Sequence, residues 1–512
     1  MHIQGRLSFI VITTYAGNPI MTMSSNTESE LLKIRREKLD YWKSQGIDPF
    51  GHPFFDTQPI ECVLEPFKEN QSVRIAGRIL SIRDMGRSFF AHIQDQGSQM
   101  QIYANPQSCG EIAFKQLKHL DIGDIVGVEG SCFFTKTKEK TVRVKSWQLL
   151  AKSLRPLPSQ WYGLLDVEAR YRQRYLDLIM NPEVKRVFLK RSQIIKEIRE
   201  FLHNKGFIEV ETPMMQTVAG GAAANPFKTF HEALGIPLYL RIAPELYLKR
   251  LLVGGFEKIF ELNRNFRNEG ISRKHNPEFT MLEAYWAYGD CQSMAKLLEE
   301  MIVAVAQKVF GTLQFPASKQ FGEAKTINLT PPWPRRPFKE VLCEAIGEDW
   351  FSLSGEEKIK VAARFEIEIK EGFTETDLCR HLFEKQVEAK TMGPLFVTEL
   401  PTEFVPLAKQ KKEDPRFVEV FELIVNGQEL APGYSELNDP IVQRERLEKQ
   451  AGEEKQKIDE EFLLALEYGM PPAGGIGLGI DRLTMLLSGQ ESIRDVILFP
   501  ILRPKKEQKE TD

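Results

Sequence analysis

Residues 256 to 289, FEKIFELNRNFRNEGISRKHNPEFTMLEAYWAYG, constrain this chain more than any other stretch. From Ile259 to Arg267 the side chains alternate in character, and a strand sends successive residues to opposite faces. One face then carries Glu261, Asn263, Asn265 and Arg267. The other carries Phe260, Leu262 and Phe266, with Arg264 the exception. A polar loop follows, Asn268 to Pro277, crowded with Glu269, Arg273, Lys274 and His275. Beyond it Phe279, Met281, Glu283 and Tyr285 share one face, opposite Thr280, Leu282, Ala284 and Trp286. Two adjacent strands thus present an arginine, an aromatic ring, a carboxylate and a phenol, a mixture unusual for a core.

Bulk properties frame that hairpin. A chain of 512 residues can hold two or more domains with sizeable cores. The net charge of −3 gives no global pull toward nucleic acid, so any RNA contact must come from local patches. Six cysteines, Cys62, Cys109, Cys132, Cys291, Cys343 and Cys379, are scattered without a CxxC pair. That spacing argues for reduced thiols in a cytoplasmic protein and against a zinc site or a disulfide scaffold. No run approaches the roughly twenty apolar residues of a membrane span. Residues 1–27 are read as a disordered or over-extended start, because the apolar run after Arg6 is short and broken by Thr13 and Thr14.

Taken in order, residues 28–71 open with a helical pattern of mixed charge in which Lys33, Arg35, Arg36 and Lys38 are candidates for RNA phosphate contacts. A solvated helix face is the simpler reading of the same residues. Residues 72–153 read as three strands, a helix and two strands, the order of an OB barrel. Such barrels bind single-stranded nucleic acid on aromatics flanked by cations. Phe89, Phe90 and Tyr103 are the aromatic candidates, with Arg78, Arg83 and Arg87 for charge, although alternate aromatics on a small barrel also serve as core. A linker with Pro156 and Pro158 leads into residues 154–504, and a charged tail covers 505–512. Within the large region, residues 183 to 205 form an amphipathic helix running into the strand GFIEVETPMM. The Gly220–Gly221 pair permits close backbone approach to a ligand, and Glu245 follows Pro244 where a helix begins. Residues 290 to 400 read as peripheral packing without chemistry.

A second constellation lies in FVEVFELIVNGQELAPGYSELND, where Asn426–Gly427 is a strong hairpin signal. A two-residue turn opposes Val425 to Gln428, Ile424 to Glu429 and Glu422 to Ala431. Glu422 and Glu429 then become diagonal neighbours about 7–8 Å apart at their backbones. Two carboxylates so placed repel unless a cation or a proton sits between them, and magnesium shared with substrate phosphates is the natural cation. An exposed acidic hairpin is the alternative. The last string, PPAGGIGLGIDRLTMLLSG, has no strand–turn–helix unit with a downstream acid, so its glycines are not a dinucleotide fingerprint. It is a glycine-rich strand entering a helix with Arg482 near the N-terminus, where guanidinium and free N–H groups can face phosphate.

The central hairpin closely resembles motif 2 of the class II aminoacyl-tRNA synthetases, and above all that of the lysyl enzymes of bacterial type. The helix and strand over residues 183–213 resemble motif 1, and the glycine-rich strand with its helix resembles motif 3. The resemblance covers roughly residues 30 to 504 and implies an α+β architecture, an OB-fold anticodon-binding barrel followed by an antiparallel sheet flanked by helices. It implies activation of L-lysine by ATP, transfer to tRNA(Lys), Mg2+ as cofactor and a homodimer formed through the motif 1 helix. Carried over residue by residue, Arg267 holds the α-phosphate and the lysine carboxylate, and Phe279 and Arg482 sandwich adenine. Glu269 and Asn276 contact adenine, and His275 reaches toward the outer phosphates. Glu422 and Glu429 hold magnesium. Glu283, Tyr285 and Glu436 receive the ε-ammonium, Glu245 and the Gly221 backbone the α-amino group, and Tyr434 completes the pocket. On the barrel Phe90 stacks an anticodon base, with Arg83 and Gln101 reading base edges, and the first helix lies against tRNA.

Two positions depart from the family pattern, Pro432 where the lysyl enzymes usually carry Asn and Asn225 where they carry a basic residue. Three other readings are weighed against side chains. A catalytically inactive RNA-binding paralogue is disfavoured by intact Arg267, Glu283 and Arg482. An aspartyl or asparaginyl sister would need cations where Glu283 and Glu436 stand. Relatives that lysylate a protein typically lack the barrel.

Overall fold

The computed structural model describes residues 25–158, 164, 166–222, 224–369, 373–451 and 458–504. The expectations for the first 24 residues and for residues 505–512 lie outside them. The chain divides into two compact units, 1–165 and 166–512.

In the first unit, α1 (Ser25–Ser44) precedes five strands, β1 (Ser72–Asp84), β2 (Phe89–Gln94), β3 (Gln99–Ala104), β4 (Ile125–Phe134) and β5 (Lys140–Ala151). The strands close a barrel in the order β1-β2-β3-β5-β4, with α2 (Glu111–Leu117) between β3 and β4. Period-two alternation decides what faces inward: Val73, Ile75, Phe89, Ala91, Ile93 and Ile102 are buried. Two of the four basic candidates on α1 are committed to the barrel. Buried Arg35 donates to the carbonyls of Ile122, Ser153 and Arg155, and Lys38 pairs with Asp121 at 2.6 Å. Only Lys33 and Arg36 of that set are exposed.

The second unit is built on an eight-stranded sheet. Its strands in chain order are β6 (Ile208–Glu209), β7 (Lys258–Phe266), β8 (Glu278–Ala287), β9 (Arg335–Pro337), β10 (Leu395–Thr398), β11 (Val420–Val425), β12 (Gln428–Ser435) and β13 (Ala473–Gly479). The spatial order is β9-β10-β11-β12-β13-β8-β7-β6. The six inner strands pair antiparallel, while β6 and β9 join the edges in parallel. One face, with Phe260, Leu262, Leu282, Ala284, Leu423, Ile476 and Leu478, packs on the apolar stripes of α3 (Pro182–Asn204), α5 (Cys291–Phe310) and α6 (Ile480–Ser488). Burying that face leaves the other free for polar side chains. The short α4 (Glu245–Val253) begins directly after Pro244, as expected from sequence.

The register of the central hairpin follows the alternation, with Glu261 opposite Glu283, Asn263 opposite Met281 and Asn265 opposite Phe279. The acidic hairpin needs a correction. It turns through Asn426 and Gly427, both at positive φ (58° and 71°), so Val425 faces Gln428 and Ile424 faces Glu429. Beyond that the register shifts, and Glu422 faces Pro432 instead of Ala431. A bulge with one extra residue on β12 lets consecutive Leu430 and Ala431 both enter the helix-side core. Glu422 and Glu429 keep the same face, because Ile424 stands two residues from Glu422 and opposite Glu429.

Candidate active site

The polar face of the sheet is a lattice set by cross-strand pairing. Tyr285, Gly475 and Tyr434 lie in one row across β8, β13 and β12, and Glu261, Glu283 and Gly477 in the next. The glycine at 475 leaves room for a neighbour: a Cβ there would sit 2.0 Å from Oε1 of Glu436. At 221 the backbone has φ +87°, and a Cβ there would lie 3.2 Å from the Cβ atoms of Ala243 and Glu245. Three carboxylates converge here, Glu245, Glu283 and Glu436, all at most 5% exposed. The Tyr285 hydroxyl donates to Oε2 of Glu283 at 2.9 Å, and the Tyr434 hydroxyl donates to Oε1 of Glu245 at 2.8 Å. Burial, then the neighbouring Glu245, pushes the Glu283 carboxyl up to about 8. Burial also raises Glu436 to about 8, against the pull of Lys249. Neither oxygen of Glu436 has a hydrogen-bond partner of good geometry among the described residues. A buried pocket with uncompensated carboxylates is built to receive cations.

Along the same face the charge reverses. The Arg267 guanidinium lies 5.1 Å from the Phe279 ring centroid, and its buried Nε has no hydrogen-bond partner. Burial works against its charge, offset by Glu269, Glu283 and Glu429. From α6, Arg482 donates to the Glu429 carbonyl at 2.6 Å and approaches Nε2 of His275 at 3.3 Å. His275 is held on its other ring nitrogen by the Ser272 hydroxyl at 2.9 Å. Partial burial and then Arg482 keep this imidazole below its ordinary pKa, hence neutral at pH 7. Asn276 is buried and donates to the Glu278 carbonyl at 2.6 Å, while its Oδ1 has no partner. Glu269 is exposed. Two guanidiniums, an aromatic face and an unpaired amide oxygen along one wall suit a planar, anionic ligand such as a nucleotide.

The acidic hairpin borders that wall. Burial, then Glu429, then Glu388 raise the Glu422 carboxyl well above its ordinary value. Glu388 accepts the Glu429 backbone N–H at 3.2 Å and is itself raised by burial and then Glu429. No three His, Cys, Asp or Glu side chains among the described residues converge enough to hold a metal unaided. The stretch from residue 290 to 400, read from sequence as peripheral packing, thus brings one carboxylate, Glu388, against the acidic hairpin. Glu388 opens a single 3-10 turn, Glu388–Lys390, between a helix and strand β10, and no periodicity marks it. Of the two departures, Pro432 lies one residue before β12 begins to pair with β13 at Gly433, so its missing N–H costs that ladder nothing. Asn225 is exposed, and its carbonyl accepts the Asn268 N–H at 2.7 Å.

On the barrel, Arg83 pairs across to Phe90 and Phe90 to Tyr103, with His92 opposite Gln101. The Phe90 and Tyr103 rings are 4.9 Å apart, both half-buried, and Arg83 is exposed. The Thr141 hydroxyl donates to the Gln101 amide oxygen at 2.9 Å, which fixes that side chain. Phe89 is fully buried in the barrel core, and Arg78 donates to the Gly123 carbonyl. Those two are structural, while Arg83, Arg87, Phe90 and Tyr103 remain on the surface side.

Two charged residues behind the pocket escaped the sequence reading. Arg241 pairs with Glu261 at 2.6 Å, and Lys249 pairs with Glu245 at 2.7 Å and Glu436 at 2.5 Å. The signal for Lys249 was present, since a residue four past Glu245 on a helix shares its face.

Comparison with known proteins adds the following. Residues 166–503 match the family model described as tRNA synthetases class II (D, K and N), and residues 73–150 match that of the OB-fold nucleic acid binding domain. A lysine–tRNA ligase of Carboxydothermus hydrogenoformans is 52% identical over 486 residues, 93% of this chain and 99% of the relative. One of Pelotomaculum thermopropionicum is 53% identical over 489 residues, 93% and 96% of the two chains. One of Bacillus cytotoxicus is 46% identical over 501 residues, 95% and 99% of the two.

Proposed function

The chain belongs to the lysine–tRNA ligases of synthetase class II, and from that premise we propose how its side chains activate L-lysine with ATP and pass it to tRNA(Lys). The observation that carries the assignment is the buried trio Glu245, Glu283 and Glu436 within reach of the unpaired Arg267. Glu283, Tyr285 and Glu436 receive the ε-ammonium. Glu245, held by Tyr434, and the Gly221 backbone take the α-ammonium, which turns the substrate carboxylate toward Arg267.

ATP lies along the cationic wall, its adenine between Phe279 and Arg482 with Asn276 and Glu269 at the edge, and His275 near the outer phosphates. In the first step a lysine carboxylate oxygen bonds to the α-phosphorus, and the bond from that phosphorus to the pyrophosphate oxygen breaks. In the second, the 3′-terminal ribose hydroxyl of tRNA attacks the acyl carbon and AMP leaves. No protein nucleophile is needed; catalysis is positioning and charge neutralisation. Arg267 stabilises the charge that builds on the α-phosphate as pyrophosphate departs.

Magnesium fits the acidic hairpin. Glu422 and Glu429 share a face, burial and then Glu429 raise the Glu422 carboxyl, and two carboxylates plus substrate phosphates are the ion's usual ligand set. When bound, it neutralises phosphate charge. The barrel face of Arg83, Phe90 and Gln101 takes the anticodon. A homodimer through α3 is supported by apolar side chains left half-exposed nearby, among them Leu189, Ile208, Met215 and Phe256. All six cysteines are free thiols, in keeping with a cytoplasmic enzyme. No helix among the described residues is long and apolar enough to cross a membrane.

Amino-acid-dependent ATP–pyrophosphate exchange, run over the common amino acids without tRNA, tests the reading. Exchange with lysine alone is expected. Exchange with aspartate or asparagine places the pocket with the sister enzymes, and none at all marks an inactive paralogue.

A further inference from the structure

The lysine pocket contains a lysine of its own. Lys249 is fully buried on α4, one turn past Glu245, and its ammonium bridges Oε1 of Glu245 at 2.7 Å and Oε2 of Glu436 at 2.5 Å. It also lies 5.7 Å from the Tyr434 ring centroid. An ammonium with two buried carboxylate partners keeps its charge, and its pKa is raised although burial opposes it. A plain structural staple would explain one such bond. Two features point further.

The first is how oxygens are shared. The internal donors to Glu245, Lys249 and Tyr434, both fall on Oε1, and the donor to Glu283 falls on Oε2. Lys249 reaches Glu436 from the Oε2 side, leaving Oε1 buried and unpartnered beside Gly475. Each carboxylate is thus anchored through one oxygen while the other stays available. The second feature is charge. Glu261 behind the pocket is answered by Arg241 at 2.6 Å, and Arg267 belongs to the phosphate wall. Ionised Glu245, Glu283 and Glu436 supply three negative charges, and Lys249 returns one. Two remain, and free lysine brings two ammonium groups.

We propose that Lys249 is a positioning and specificity-determining residue, an internal ammonium that orients Glu245 and Glu436 and sets the pocket's charge to match a ligand with two ammonium groups. The inference rests on the lysine pocket proposed above. It explains why three carboxylates can be buried together without any one being lost to protonation once the ligand is bound. It also explains how the pocket rejects monoamino acids: with one ammonium, a buried carboxyl stays protonated and the ligand forfeits that ion pair.

The test is pyrophosphate exchange by Lys249→Met and Lys249→Arg beside the wild type, with thermal melts to confirm folding. Removing one partner of a buried ion pair should raise the lysine KM of Lys249→Met by on the order of a hundredfold. The ATP KM should stay within about twofold, since the lost interaction does not face nucleotide. Lys249→Arg, which keeps the cation, should recover most of the lysine affinity. An unchanged or lowered lysine KM in Lys249→Met, a parallel rise for ATP, or no recovery with arginine overturns the proposal. If Lys249→Met does not fold, the uncharged Lys249→Gln takes its place in the same comparison. A wild type without lysine-dependent exchange would defeat the pocket assignment itself. A responsive wild type with an indifferent Lys249→Met would defeat only the role of Lys249.

Discussion

The two ends of the active site are built on opposite principles. At the amino-acid end the charges are buried, come from strands and a short helix, and are already tied to one another by Tyr285, Tyr434 and Lys249. At the nucleotide end the groups ride on a loop and a helix start. Glu269 and His275 are exposed, and Arg267 and Asn276 hold unpaired atoms. A site that must tell lysine from other amino acids fixes its acceptors in advance, so a wrong ligand leaves a buried acceptor without its partner. A site for a nucleotide common to many enzymes can leave its donors waiting for phosphate.

That contrast can be broken by mutation. The largest effect should come from Glu283→Gln, which removes the buried carboxyl proposed to accept the ε-ammonium. Lysine affinity should fall by about 3–5 kcal/mol while ATP affinity holds, read as separate KM values in pyrophosphate exchange. Equal loss of both would erase the distinction between the two ends. Arg267→Ala should slow activation by about 3–4 kcal/mol, as when one preorganised donor is removed from a transition state. Single-turnover adenylate formation at saturating ATP and lysine checks it, and a near-normal rate contradicts the assigned role.

A smaller effect concerns stability. Glu283 has its carboxyl raised to about 8 in the fold, so the ligand-free protein must pay to ionise it. For a raised acid the folded state binds more protons than the unfolded one, and stability declines as pH climbs from the ordinary carboxyl value through 8. Ligand-free Glu283→Gln should therefore be more stable than wild type at pH 8 by a few kcal/mol, seen as a higher melting temperature, with the gap closing below pH 5. A lower melt at pH 8 would mean the carboxylate stabilises the fold. The barrel extends the comparison to a surface proposed to meet its ligand by stacking. Phe90→Ala should weaken tRNA use by roughly 1–3 kcal/mol and leave adenylate formation untouched. If both fall together, Phe90 supports the barrel and does not read RNA.

Much of this was legible in the sequence because strand alternation is a strict code. Glu261, Glu283 and Phe279 fall on one face by parity alone, and the Asn426–Gly427 turn fixes its hairpin. Parity fails where the chain adds a residue: the bulge at Leu430 moved Glu422 opposite Pro432, and no local pattern announces it. Composition could not tell reader from core on the barrel, where adjacent Phe89 and Phe90 differ only by which side of the strand each takes. Lys249 and Glu388 were missed for different reasons. The first stands at helical spacing from a residue already singled out, and reads as a surface pair until the helix is seen to be buried. The second reaches its partners across a sequence separation that only the fold can close.

The central claim is that the amino-acid end holds carboxyls that ionise only for an ammonium ligand. Calorimetric titration of lysine into the enzyme at pH 7, in two buffers of different ionisation enthalpy, counts the protons exchanged on binding. With its carboxyl raised to about 8, Glu283 is largely protonated when empty, and lysine binding should release a proton to the buffer. Binding heats independent of buffer would contradict the account, because the carboxylates would then be charged before lysine arrives.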